Sequence, residues 1–172
     1  LYSYLRTNID SSFLDYEPLV INIFEKLPGD GSVQIHQNPS FVREPEFKSI
    51  SVWIPLIDSK KENGTVGVLK GSHNVFDTMR ASNMPYVFED MASELQDIYF
   101  DPIELKVGQA VVLDDSVVHW SYPNKSEQIR KAVQLIMVPK EVEHIYHYYD
   151  TEGETPKVKM FEVDKSFFYK FK

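Results

Sequence analysis

The 172-residue sequence contains no cysteine. That excludes a disulfide scaffold, thiolate metal sites and a cysteine nucleophile, and it fits a reducing, cytoplasmic setting. Any metal must be held by nitrogen and oxygen ligands. Positive charge is also scarce: 18 Lys and Arg against 26 Asp and Glu give a net charge of −8. A protein that tracks a phosphate backbone needs the opposite balance, so no nucleic-acid partner is expected. The lysines gathered near the C-terminus (Lys157, Lys159, Lys165, Lys170, Lys172) alternate with aromatics and acids and read as a solvated strand face. No apolar run approaches the roughly 20 residues of a membrane span, and no signal peptide is visible, so no membrane association is expected. Only 7 glycines, with 42% apolar and 13% aromatic residues, leave no room for collagen-like repeats or disorder. The chain opens on Leu1 rather than Met, which is read as a missing N-terminal segment.

What is present is a series of short alternating runs separated by turn residues, the pattern of an all-β sandwich or barrel. Residues 19–27 alternate as a first strand and end at the turn Pro28-Gly29-Asp30-Gly31. Residues 33–36 make a second strand and residues 49–56 a central one. After the loop at 60–64, residues 65–70 return. From His73 to Tyr99 the apolar residues recur irregularly, with 93–99 compatible with a helix, so an insert of helix and loop is expected. Strands resume at 103–107, turn at Gly108, and continue at 110–113, at His119 and at 131–138. Residues 141–172 form an appendix rich in Tyr and Phe. About eight strands with a helical insert fit a mainly β, cupin-like jelly roll. Such a barrel can bring His36 and His119 together.

Those two histidines carry the candidate chemistry. His36 and Asn38 are two apart, so on a strand both side chains share a face. An H-x-D pair with a distant second His supplies the facial iron site of non-haem oxygenases. Here the carboxylate position holds Asn38. A His and an Asn hydrogen-bonding a loop would look the same, as would a buried, satisfied His119. Asp114 and Asp115 precede His119 and read either as an exposed turn or as acceptors for a ligating imidazole N–H. Arg130 could grip a carboxylate with its planar fork or simply pair with a surface acid. His73 reads as a cap or as part of a pocket mouth. His144 and His147 lack a third ligand.

The order of these elements is more specific than any one of them. His36-Gln37-Asn38 is followed by Trp53-Ile54-Pro55-Leu56, then Glu62-Asn63-Gly64-Thr65, then Gly71-Ser72-His73, then His119-Trp120-Ser121 with Asn124 and Ser126, then Arg130. From about Gln34 to Val138 the chain resembles the phytanoyl-CoA dioxygenase family of Fe(II)/2-oxoglutarate-dependent oxygenases. It departs at Lys70, where the family usually has Pro, and at Gln109, where Asp is common. The resemblance implies a double-stranded β-helix and a single oxygenase-like domain over residues 1–172, short of part of an N-terminal helical segment. It implies Fe(II) held by His36, His119 and the position of Asn38. It also implies 2-oxoglutarate gripped by Arg130 with help from the Ser121 hydroxyl, with Trp53 packed near it.

At position 38 the amide oxygen could still ligate, the place could stand vacant as in related halogenases, or the chemistry could be lost. Glu44 is a conceivable substitute carboxylate. The expected function is therefore hydroxylation of a small organic substrate by an iron- and 2-oxoglutarate-dependent dioxygenase. The alternatives are a non-catalytic ligand-binding protein on the same fold and a cupin-like metal enzyme that does not use 2-oxoglutarate. Neither the substrate nor the oligomeric state is coded in the sequence.

Overall fold

Alternation along the chain becomes two four-stranded antiparallel sheets in the computed structural model, which describes Phe13 and residues 15–96 and 98–169. The strands are β1 (Tyr16–Lys26), β2 (Val33–His36), β3 (Ile50–Pro55), β4 (Val66–Val68), β5 (Asp101–Pro102), β6 (Val111–Asp114), β7 (His119–Ser121), β8 (Arg130–Pro139), β9 (Ile145–Asp150) and β10 (Lys157–Glu162). One sheet runs β1-β8-β3-β6, the other β2-β7-β4-β5, and β9 and β10 form a separate hairpin. The sheets face each other through Trp53 and Ala132 from the first and Val66 and Val68 from the second, which share one buried cluster. This is a jelly roll.

Both outer faces are covered in part as well, which explains why β8 reads as an almost unbroken apolar run. Val133, Leu135 and Met137 pack with Val52 on the face away from the sandwich. On the second sheet Ile35, Val118, Trp120 and Tyr122 bury against Phe88 and Phe100 of the segment between β4 and β5. Each such large side chain taken out of water contributes about 1.5–3 kcal/mol. The appendix closes one end. Phe41 and Val138 pack with Val163, and Tyr146, Phe167 and Phe168 join them. Lys157 and Lys159 lie on the exposed strand β10, as a solvated face requires. Lys170 and Lys172 are outside the described residues.

Three expectations change. The insert holds little helix: α1 (Ala92–Gln96) is five residues, with one-turn 3-10 segments at Ser72–Asn74 and Glu89–Met91. Its apolar residues are spaced irregularly because they plug the sheet one at a time. Residues 103–107 are not a strand. Pro102, which has no N–H to give, ends β5, and afterwards only Leu105 bridges, exchanging two main-chain bonds with Ser59. Gly108 does turn the chain, at φ 90°. The described strands number ten rather than about eight, because the appendix folds into its own hairpin.

Candidate active site

His36 and His119 are register partners on the adjacent strands β2 and β7, so their side chains leave the sheet on the same face. Their ring centroids are 4.3 Å apart. Each Nδ1 lies at hydrogen-bond distance from a main-chain carbonyl: His36 from Gln34 at 2.7 Å, His119 from Val117 at 2.8 Å. A carbonyl only accepts, so each Nδ1 carries the proton and each Nε2 keeps a free lone pair. Burial and the nearby His36 ring lower the His119 pKa to about 3, and burial lowers that of His36. Both imidazoles are therefore neutral at pH 7, the form that ligates a metal.

Asn38 lines the same cavity as both histidines and is itself buried. Its main-chain N–H donates to the Asp115 carbonyl at 2.9 Å. Its side-chain Nδ2 donates to Asp115 Oδ1 at 2.9 Å and to Ser51 Oγ at 3.2 Å. Ser51 in turn gives its hydroxyl proton to Asp115 Oδ1 at 2.6 Å and accepts from Gln134 Nε2 at 3.1 Å. Asp115 is fully buried, which raises its pKa, while donors from Ser51, Ser49 and Asn38 pull it back. Glu44 is committed elsewhere, to ion pairs with Arg80 and Lys48, and does not substitute for the missing carboxylate. Among the described residues no group of three or more His, Asp or Glu side chains could hold a metal ion. The donor set is two imidazoles and an amide.

The other end of the cavity is cationic. Lys26 and Arg130 are register partners at the ends of β1 and β8. The guanidinium is buried, and its Nε and Nη1 have no hydrogen-bond partner among the described residues. It lies over the Trp53 ring, 5.5 Å from the centroid. Lys26 Nζ donates to Ser121 Oγ at 2.7 Å, which leaves the Ser121 proton free for another acceptor. Burial, and then Arg130, lower the Lys26 pKa to about 8. The cavity between the histidines and this cationic end measures about 140 Å3, with Phe24, Val66 and Leu113 among its walls. Sequence reasoning placed Lys26 only inside a first strand. A lysine on the inward alternation of that strand is a signal in retrospect, but its neighbour Arg130 is set by register.

The sequence profile of the phytanoyl-CoA dioxygenase family matches residues 14–132. The chain belongs to the phytanoyl-CoA dioxygenase family. A phytanoyl-CoA dioxygenase domain-containing protein 1 homolog from Dictyostelium discoideum is 33% identical over 125 residues, covering 67% of this chain and 44% of that protein. A phytanoyl-CoA dioxygenase from Arabidopsis thaliana is 29% identical over 143 residues, 80% of this chain and 50% of the relative. The chain thus spans about half the length, or less, of these curated relatives. Among solved structures, the epimerase SnoN in complex with Fe3+, alpha ketoglutarate and nogalamycin RO aligns with a TM-score of 0.62 at 13% identity. That alignment covers 87% of this chain and 61% of SnoN. At that identity the likeness establishes the jelly-roll fold alone.

The structure gives the family's motifs physical work in this chain. In Gly71-Ser72-His73 the acting residue is Ser72, whose Oγ accepts the Val118 N–H at 2.8 Å and so fixes the entry to His119. His73 is exposed and contacts only its neighbour Asn74 in that bond. In Asn63-Gly64, Gly64 sits at φ 88°, and a Cβ there would come 2.7 Å from Lys26 Cδ. Asn124 donates to the main-chain oxygens of Lys26 at 2.9 Å and Gln128 at 2.8 Å, while its own Oδ1 accepts from Ser126. It therefore holds the end of β1 that carries Lys26. Gln109, where Asp is common, accepts the Lys106 N–H at 2.7 Å and so caps the turn itself. Lys70, where Pro is usual, pairs with Asp101 at 3.1 Å.

A second opening adjoins the first on the His36 side. It is a groove of about 520 Å3 walled by Met79, Met84, Pro85, Tyr86 and Val87 among others. Arg80 also lines it, but its guanidinium is spent on Glu44 and on the Asn38 carbonyl, the latter at 2.7 Å. Asp114 stays local, accepting from Ser116. His144 binds the Pro139 carbonyl at 3.0 Å, and His147, three positions on, points to the opposite face of extended chain. No helix among the described residues is long and apolar enough to cross a membrane.

Proposed function

We propose that this chain carries the active site of an Fe(II)- and 2-oxoglutarate-dependent oxygenase that hydroxylates a small, uncharged organic molecule. The observation that carries the reading is the Arg130 guanidinium. Leaving a buried fork unpaired costs free energy, and a carboxylate arriving from the cavity would repay it with a bidentate, charge-assisted pair. Lys26 stands beside it, so the end of the cavity matches a dianionic five-carbon acid in charge and in size. Trp53 holds the plane of the guanidinium, and the Ser121 proton is free to join the same carboxylate.

At the other end, His36 and His119 present neutral Nε2 lone pairs, and the Asn38 amide is the third candidate donor. When bound, iron and its co-substrate supply the oxygen-activating chemistry. The chain's own part is to hold the co-substrate by its distal carboxylate, to keep both imidazoles unprotonated, and to exclude water with Phe24, Val66 and Leu113. The groove beside His36 is the place for the substrate. At about 520 Å3 it is within the usual size of small-molecule sites. Its one guanidinium is already neutralised by Glu44, which favours an uncharged, largely apolar molecule over a phosphate-bearing ester.

Replacing Arg130 with Ala tests the reading. The dissociation constant for 2-oxoglutarate should rise about a hundredfold, the loss of roughly 3 kcal/mol typical of breaking a buried charge pair. Unchanged affinity would contradict it. A second reading, a protein that binds 2-oxoglutarate or a like acid without turnover, is favoured by the amide in place of a carboxylate among the metal-facing residues. It predicts the same response to Arg130→Ala but no succinate formation with any substrate.

A further inference from the structure

The missing carboxylate of position 38 has a counterpart one side chain behind it. We infer that Asp115 is a positioning residue that locks the Asn38 amide with its carbonyl oxygen toward His36 and His119, and supplies from behind the negative charge that the amide lacks. The inference rests on the metal-site reading above and deepens it.

Hydrogen-bond accounting carries the argument. Ser51 has one hydroxyl proton, and it goes to Asp115 Oδ1 at 2.6 Å. The Ser51 oxygen is then an acceptor only, already taking one bond from Gln134. Asp115 Oδ1 is an acceptor as well. The Asn38 side chain meets both of these oxygens with one group, and only the NH2 end has hydrogens to give them. Turning the amide over would set its oxygen against two acceptors in a buried site, leaving all three unsatisfied. Both amide hydrogens are therefore used behind the residue, and Oδ1 faces the cavity that the histidines line. The main-chain bond from Asn38 N–H to the Asp115 carbonyl fixes the same two residues a second time, at 2.9 Å. Arg80, on the Asn38 carbonyl, holds the backbone from the other side.

A consequence separates this arrangement from a simple loss of the acid. Asn38→Asp alone does not rebuild a two-histidine, one-carboxylate site, because a carboxylate has no hydrogen to give Asp115. Two acceptors would face each other at the 2.9 Å now spanned by the amide hydrogen bond. Exchanging both residues, Asn38→Asp with Asp115→Asn, restores a donor between them and moves the charge forward.

The test uses four proteins: the parent, N38D, D115N and the double variant N38D/D115N. Co(II) titration followed by its visible absorption gives affinity, and thermal melting of the metal-free proteins gives stability. D115N should weaken Co(II) binding about 10–100-fold, the usual cost of losing an outer partner of a ligand. N38D should melt lower than the parent and gain less than about threefold in affinity. The double variant should recover the parent's melting temperature and bind at least about tenfold more tightly than the parent. A tenfold gain in N38D alone with unchanged melting, or effects that simply add across the cycle, would overturn the inference while leaving the metal site standing. No Co(II) binding by any of the four would overturn the metal reading and this inference with it. The melting temperatures would distinguish that case, since they report the Asn38–Asp115 link without metal.

Discussion

At the residue scale, the cationic end of the cavity sets a pH dependence. Burial and Arg130 bring the Lys26 pKa down to about 8. Its ammonium is present below that value and lost above it, so affinity for 2-oxoglutarate should fall as pH rises from 7 to 9. Lys26→Met should be weaker at pH 7 and nearly flat over the same range; a parent-like decline in that variant would assign the titration elsewhere. His36, His119, Ser121, Trp53 and Arg130 could be named from the sequence because residue type and order carry them. Lys26 could not, since a lysine ending a strand is ordinary until register sets it beside Arg130. The orientation of Asn38 was equally hidden: it depends on Asp115 and Ser51, which the fold brings to it from two other strands or turns.

At the element scale, the turns between strands position the site as much as the strands do. Gly64 tolerates no side chain, because its φ of 88° disfavours L-residues and a Cβ would press on Lys26. Gly64→Ala should lower stability by about 1–3 kcal/mol, read as a drop in melting temperature, and should also weaken 2-oxoglutarate binding. A variant that melts lower but binds as before would show that the Lys26 stem has room to move. Strands β1, β2, β3 and β8 were legible because alternation and β-branched content are local signals. Residues 103–107 misled because Ile103 and Leu105 alternate as a strand would, yet Pro102 and the lack of a neighbour leave a single bridge. The insert misled for a related reason. Phe88 and Phe100 are placed by the holes they fill on the second sheet, and such spacing has no period to read.

At the scale of the whole molecule, two neutral imidazoles are part of the folded state's proton balance. The His119 pKa is about 3 in the folded protein against 6.5 for an ordinary histidine. The unfolded chain therefore binds the extra proton first as pH drops, so this contribution to stability is complete above about 6.5 and erodes toward 3. Denaturant midpoints of the metal-free protein should fall between pH 7.5 and 5, and His119→Gln should reduce that slope. Bound metal should raise the melting temperature at neutral pH and lose that effect in acid, since protons compete for the same nitrogens. The central claim is that His36, Asn38 and His119 hold iron while Arg130 and Lys26 hold 2-oxoglutarate across one cavity. Anaerobic addition of Fe(II) and 2-oxoglutarate, followed by visible absorption, tests it most directly. The account predicts a weak charge-transfer band that requires both additions and disappears in His119→Ala and Arg130→Ala. A folded parent protein that shows no band with both present would contradict it.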